Sequence, residues 1–374
     1  MAGIYIHIPF CRQACSYCNF HFSTQLKHQD LLVNALVREL EIRAKDWQDT
    51  QFNTVYFGGG TPSVLSITQV EKLFKSIAKH YQLASLEEFT LEANPDDITL
   101  EKLQAWKSLG IHRLSLGIQS FRDEDLQLLN RSHSNSQSFK AIELAQKAGF
   151  DKFNIDLIYG IPGLTSDAWK ANLNQVAELG MQHLSAYALT VEEKTTLAYQ
   201  VEIGKVSLTS DEEQAQHFKI LQDWAQEKGY LHYELSNLAL PGQEAIHNSN
   251  YWNNSRYLGI GPGAHGFRDN LRYQNMANNA GYLNSIAKGN LNQEVEKLSR
   301  LDVLNEKIMT GLRLAKGLNL GLVQELAGPH YNQLEKDIKL LLSKDLIQLK
   351  EGHICVKAEH RFLSDGIAAE LFQV

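Results

Sequence analysis

Residues 4–20 read IYIHIPFCRQACSYCNF, a short apolar strand pattern at 4–8 running straight into a loop that carries Cys11, Cys15 and Cys18. The spacing is C-x3-C-x2-C. Three thiolates this close can ligate three irons of a cubane and leave the fourth iron without a protein ligand. A structural zinc would want a fourth protein ligand, which His7 or His21 could supply, but x3 followed by x2 is unusual spacing for zinc pairs. The loop directly after a first strand is also where a β/α barrel places its reactive groups. Only four cysteines occur in 374 residues, and three fall within eight positions. A secreted disulfide scaffold would spread them out, so the cluster points to metal or redox chemistry in a reducing compartment. Cys355 stands alone and reads as a small buried hydrophobe.

Outward from this loop, apolar strand patterns alternate with amphipathic helical ones. The strands are expected at 4–8, 53–57, 88–92, 112–117, 153–158 and 183–189, and the helices at 29–45, 66–80, 99–109, 136–148, 167–179 and 211–228. Ser66 and Gln69 have capping-box spacing, and Gly110, Gly149, Gly180 and Gly229 each follow a helix, where a left-handed cap favours glycine. Six βα units imply parallel strands, in an open doubly wound sheet or a full or partial barrel. After about residue 300 the texture changes. Helical patterns at 302–315, 320–327 and 332–344 lead into a hairpin turning at Glu351-Gly352 and a final helix over 359–371, a small winged-helix-like unit. The expected division is 1–295 and 296–374.

Composition narrows the function. Hydrophobic residues make up 43% and charged residues 21%, with net charge −7, which disfavours binding along a phosphate backbone. No apolar run is long enough to cross a bilayer, and the first residues carry no basic leader. A cytoplasmic location is expected, with peripheral membrane contact and a homodimer left open.

Further motifs sit at strand ends. Gly58-Gly59-Gly60-Thr61-Pro62-Ser63 follows the second strand, where glycines permit close backbone approach to a ligand. Glu92 ends the third strand in LEANP, Gln119 follows the fourth in LGIQSF, and Asp156 lies inside the fifth in NIDLIYG. A carboxylate within an apolar strand is costly without a partner, which could be Arg131. Polar groups at strand ends on one rim suggest a shared ligand.

The cysteine triplet followed by GGGTPS resembles the radical S-adenosylmethionine (SAM) superfamily. IYIHIPFC, LEANP, LGIQSF and NIDLIYGIPG resemble its branch containing oxygen-independent coproporphyrinogen III dehydrogenase, through most of the chain. The resemblance implies a partial (β/α)6 barrel with a small C-terminal winged-helix-like domain. It also implies a [4Fe–4S] cluster on Cys11, Cys15 and Cys18, and SAM chelated at the open iron. By motif position, Tyr5, Tyr17, Gly59, Gly60, Thr61, Glu92, Gln119, Arg131 and Asp156 would contact SAM, divided between two sites if a second molecule binds.

Two features set the chain apart from the dehydrogenase. Phe20 stands where that enzyme has a fourth cysteine, and the chain starts three residues before its first strand, where the dehydrogenase carries an N-terminal extension. His247-Asn248-Ser249-Asn250-Tyr251-Trp252 resembles the HNxxYW signature of this branch's HemW-type heme chaperones. A neutral imidazole can be an axial ligand for heme iron. The resemblance therefore implies heme bound by His247, with Tyr251 and Trp252 against the porphyrin and Asn248 orienting the imidazole. Heme would then pass to acceptor hemoproteins such as respiratory cytochromes. The rival expectation is the dehydrogenase reaction; a blander one is a zinc-stabilised interaction protein. His7, His21 and His265 are read as structural. LGIGPGAHGF, residues 258–267, either lines the mouth of the site or makes a tight turn.

Overall fold

The six apolar runs become six parallel strands in the computed structural model, which describes residues 2–83 and 86–374. They are β1 (Ala2–Ile8), β2 (Phe52–Gly59), β3 (Glu88–Ala93), β4 (Arg113–Gln119), β5 (Lys152–Tyr159) and β6 (His183–Ala188). Each pairs with the next, and one register line runs Ile6, Phe57, Leu91, Leu114, Phe153. All five side chains are buried. Such a sheet survives only with its outer face covered, and the intervening helices supply that cover. They are α1 (Gln29–Arg43), α2 (Ile67–His80), α3 (Leu100–Ser108), α4 (Asp123–Leu128), α5 (Asn135–Lys147), α6 (Ser166–Glu178), α7 (Thr196–Glu202) and α8 (Asp211–Lys228). Their ends follow local chemistry. Ser66 and Gln69 close a reciprocal capping box on α2, and Gly229 ends α8 at φ +77°.

The sheet extends beyond the six strands on both sides. β7 (Asn237–Ala239) adds antiparallel to β6. After α9 (Ile246–Trp252), β8 (Arg256–Ile260) runs parallel to β1. β9 (His265–Arg268), β10 (Leu271–Asn275) and, after α10 (Asn279–Ala287), β11 (Gln293–Lys297) continue antiparallel. The eleven-stranded order ends on β11 and β7, which do not pair, so the barrel is partial. LGIGPGAHGF is the β8–β9 turn. A Cβ on Gly259 would lie 1.8 Å from the His265 carbonyl oxygen, and Gly261 has φ +105°, so close backbone approach is its role.

The C-terminal domain comprises α11 (Arg300–Arg313), β12 (Leu318–Asn319), α12 (Leu320–Ala327), α13 (Tyr331–Ser343), β13 (Ile347–Lys350), β14 (His353–Val356) and α14 (Ser364–Ala369). Its three strands order β12-β14-β13, and the hairpin turns through Glu351 and Gly352, both at positive φ. Leu304, Ile308, Leu334, Ile338 and Ile354 form an apolar core separate from that of the barrel. The single helix expected over 359–371 is divided into a 3-10 turn, Ala358–Leu363, and α14. Cys355 is buried, its Sγ 3.4 Å from the Lys316 carbonyl oxygen. Among the described residues no helix is long and apolar enough to cross a membrane.

Candidate functional site

The loop after β1 carries the three cysteines over the carboxyl ends of the strands, and backbone chemistry holds it there. Gly60 N–H donates to the Ile8 carbonyl (2.9 Å) and Thr61 N–H to the Phe10 carbonyl (2.7 Å). A Cβ on Gly60 would lie 2.8 Å from Phe10 O and 2.9 Å from Ile8 O, so only glycine permits this approach. On its far side the loop is joined to the segment after α4. Ser16 N–H donates to Leu129 O (3.0 Å), Ser16 Oγ to Leu128 O (2.9 Å) and Asn130 Nδ2 to Ala14 O (2.7 Å). Arg12 Nε donates to buried Asp97 (2.7 Å), which also accepts from Ser63 Oγ (2.8 Å). Cys11, Cys15 and Cys18 consequently face one cavity of about 440 Å³.

The donor set fits a cluster. All three thiols are half-buried, and burial pushes Cys11 up to about 11 and raises Cys18 above its ordinary value. Thiols so disposed persist as thiolates when a cationic metal group compensates them. The two histidines that could complete a zinc site are engaged elsewhere. His7 has one ring nitrogen 2.9 Å from the His21 carbonyl and the other 3.1 Å from Tyr5 Oη, while His21 Nε2 is 2.8 Å from Asn279 Oδ1. Among the described residues no group of three or more His, Cys, Asp or Glu is arranged to hold a single ion.

Tyr17, Gly59, Gly60, Thr61, Glu92, Gln119, Arg131 and Asp156 all line the same cavity. Glu92 accepts from Tyr56 Oη (2.7 Å) and Gly59 N–H (3.1 Å), yet burial lifts its carboxyl to about 7. Asp156 is lifted by burial to about 6, against the pull of hydrogen bonds from Ser185 and Asn154, the latter at 2.6 Å. The suspected Asp156–Arg131 partnership is not a direct ion pair among the described residues; Arg131 acts on Asp156 only through space. Gln119 sits at φ +67°, beside a break in the β4–β5 register that turns it toward the cavity. Tyr5 is placed differently from the rest. It lies below the lining, its ring 6.1 Å from that of Tyr56 and packed under Gly58. Asn94, Ser115 and Tyr187 also line the cavity, and Tyr56 holds Glu92 from beneath it; none was singled out in the sequence. Asn94 stands inside the LEANP motif itself, and strand alternation would have turned Tyr56 to the same face as Thr54.

His247 lies at the opposite end of the barrel. α9 crosses the amino ends of the strands, where Glu88 accepts from the N–H groups of Ile246 (2.8 Å) and His247 (3.0 Å). The imidazole is 2% exposed, with Nδ1 2.8 Å from Thr54 Oγ1 and Nε2 2.9 Å from Tyr251 Oη. Its ring stacks on Tyr56 at 4.9 Å, and burial lowers its pKa to about 3. Tyr251 packs edge-on against Tyr257, and Trp252 lies under the Arg313 guanidinium of α11. Asn248 is half-buried. The motif residues are thus brought together, but both imidazole nitrogens are already engaged within the protein.

This barrel, with a cysteine triplet over its carboxyl end, defines a protein of the radical SAM class. The family model described as "Radical SAM superfamily" matches residues 5–176, and "HemN C-terminal domain" matches residues 298–363. The chain is 33% identical to "Heme chaperone HemW" of Bacillus subtilis over 98% of each chain. It is 36% identical to the protein of the same description in Lactococcus lactis over 84% of this chain and 82% of that one. Among solved structures, coproporphyrinogen III oxidase (HemN) of Escherichia coli superposes with TM-score 0.86 at 26% identity, covering 100% of this chain and 90% of that one. Within the radical SAM superfamily, the chain belongs to the HemW heme chaperone family.

Proposed function

We propose that this chain is a heme chaperone that binds heme and delivers it to acceptor hemoproteins such as respiratory cytochromes, carrying a [4Fe–4S] cluster and SAM. The observation that carries this reading is relatedness to HemW chaperones over 98% of the chain, joined to an intact HNSNYW helix. Cys11, Cys15 and Cys18 would hold the cluster. Tyr17, Gly59, Gly60, Thr61, Glu92, Gln119, Arg131 and Asp156 would surround SAM. When bound, the pair supplies reductive cleavage of a sulfonium. The chain's own part is to bind and orient: two carboxylates with raised pKa favour a cationic ligand, and ligand capture draws their protons off.

Heme is cargo, taken through His247 with Tyr251 and Trp252 as porphyrin contacts. The docked imidazole has no free nitrogen, so ligation requires α9 to give up the Thr54 or the Tyr251 bond. Such an exchange suits a protein that must both accept and release its cargo, because the empty state is already satisfied.

The likeness to HemN favours a second reading, oxidative decarboxylation of coproporphyrinogen III. Phe20, 68% exposed at the cavity mouth, stands where the dehydrogenase has a cysteine. One experiment separates the readings. Protein purified and reconstituted anaerobically is titrated with heme while the Soret band is followed, alongside His247→Ala, and the same samples are incubated with coproporphyrinogen, SAM and reductant. A Soret band lost in the variant, with no vinyl product, supports the chaperone. Vinyl product would favour the enzyme, and undiminished heme uptake by the variant would remove His247 as ligand.

A further inference from the structure

The three cysteines meet three different neighbours. Cys11 Sγ accepts from the Thr61 hydroxyl at 3.4 Å, and Cys18 from the backbone N–H of Phe20. Cys15 meets a cation: Arg131 Nη1 lies 3.1 Å from its Sγ. A charge-assisted hydrogen bond is roughly twice as strong as a neutral one.

This contact is built into the fold. Arg131 Nη2 donates to Asn94 Oδ1 (2.7 Å) and to the Gly117 carbonyl (2.9 Å), so the fork is anchored from two other strands' ends. A Cβ on Gly117 would lie 2.9 Å from Gln119 Nε2 and 3.2 Å from Arg131 Nη2, so glycine leaves both side chains their room. Arg131 itself follows Asn130 at φ +53°, in the segment that Ser16, Gln13 and Ala14 bind through side-chain and backbone bonds. Cysteine loop and guanidinium therefore share one frame. Arg131 Nε is buried without a protein partner and is left over for a ligand.

We propose that Arg131 is a positioning residue for the cluster's electron. Its buried charge and its N–H···S bond to Cys15 would stabilise the extra negative charge when the cluster accepts one electron, raising the reduction potential. Hydrogen bonds to cluster sulfurs and nearby charge are among the factors that set such potentials. The step is a one-electron transfer from a low-potential donor, with no bond made or broken in the protein. The proposal rests on the cysteines holding a [4Fe–4S] cluster and goes beyond a role for Arg131 in SAM contact alone.

The test uses the full chain, reconstituted anaerobically and titrated with dithionite-poised viologens under electron paramagnetic resonance, with iron and sulfide measured first. Arg131→Gln is expected to keep four irons and to lower the equilibrium constant for reduction at least tenfold, which is 59 mV for one electron. Arg131→Lys keeps charge without the fork and should fall between, at least threefold below the parent. Thr61→Val, which removes a longer neutral bond, should shift less than either. A potential unchanged in Arg131→Gln, or a larger shift in Thr61→Val, overturns the proposal. If Arg131→Gln assembles no cluster, Arg131→Lys decides: a threefold loss supports it and parental behaviour overturns it. A parent chain without iron and sulfide would instead overturn the cluster assignment and this inference with it.

Discussion

The two ends of the barrel treat their polar groups in opposite ways. At the carboxyl end, carboxyls stand at raised pKa, the thiols are half-buried, and Arg131 keeps one N–H unspent. At the amino end, His247 has both nitrogens paired and Glu88 satisfies two N–H groups of α9. A site with unmet electrostatic demand is built for resident guests. An imidazole with both nitrogens paired is stable without a guest and must be freed to bind one. The contrast suits a protein that keeps one set of ligands and passes on another.

The sharpest way to break the comparison is to remove a thiol. Cys15→Ala should take the reconstituted chain from four irons to essentially none by iron and sulfide analysis, whereas Cys355→Ala, buried in the C-terminal domain, should leave the content unchanged. Next in size, Glu92→Gln should weaken SAM binding at least tenfold in calorimetry. In the parent, affinity should climb as pH rises from about 5 to about 8, because Asp156 (about 6) and Glu92 (about 7) must lose protons to meet a cation. That climb, with its proton release, should shrink in the variant.

At the amino end, Thr54→Val removes one of the two bonds holding the imidazole. Losing it should cost about 1 kcal/mol of stability and speed heme uptake about fivefold in stopped-flow Soret measurements. Slower uptake would mean that heme binds with α9 docked. The smallest effect tests the stored cost directly. A carboxyl whose folded pKa is raised binds more protons folded than unfolded between about 4.5 and 7, so its contribution to stability falls as pH rises through that window. The SAM-free Glu92→Gln chain should therefore be more stable than the parent at pH 8, by on the order of 1 kcal/mol once water in the cavity is allowed for. Near pH 4.5 the two should match in urea unfolding.

The sequence by itself determined the βα alternation, the cysteine loop after the first strand and the cap positions. Each rests on the character and spacing of near neighbours: short apolar runs, a Ser-x-x-Gln box, thiols three and four apart. The same local rules missed β7 to β11, which are short, glycine-rich or polar and gain strand geometry only by adding to existing edges. Only the tertiary structure decided that Tyr5 lies beneath the cavity lining, that Arg131 turns to Cys15 with Asp156 reached only through space, and that His247 is sealed against Thr54. Cys15 and Arg131 stand 116 residues apart in the chain and Thr54 and His247 stand 193 apart, and no periodic pattern encodes which distant side chain a curved sheet will bring within hydrogen-bonding distance.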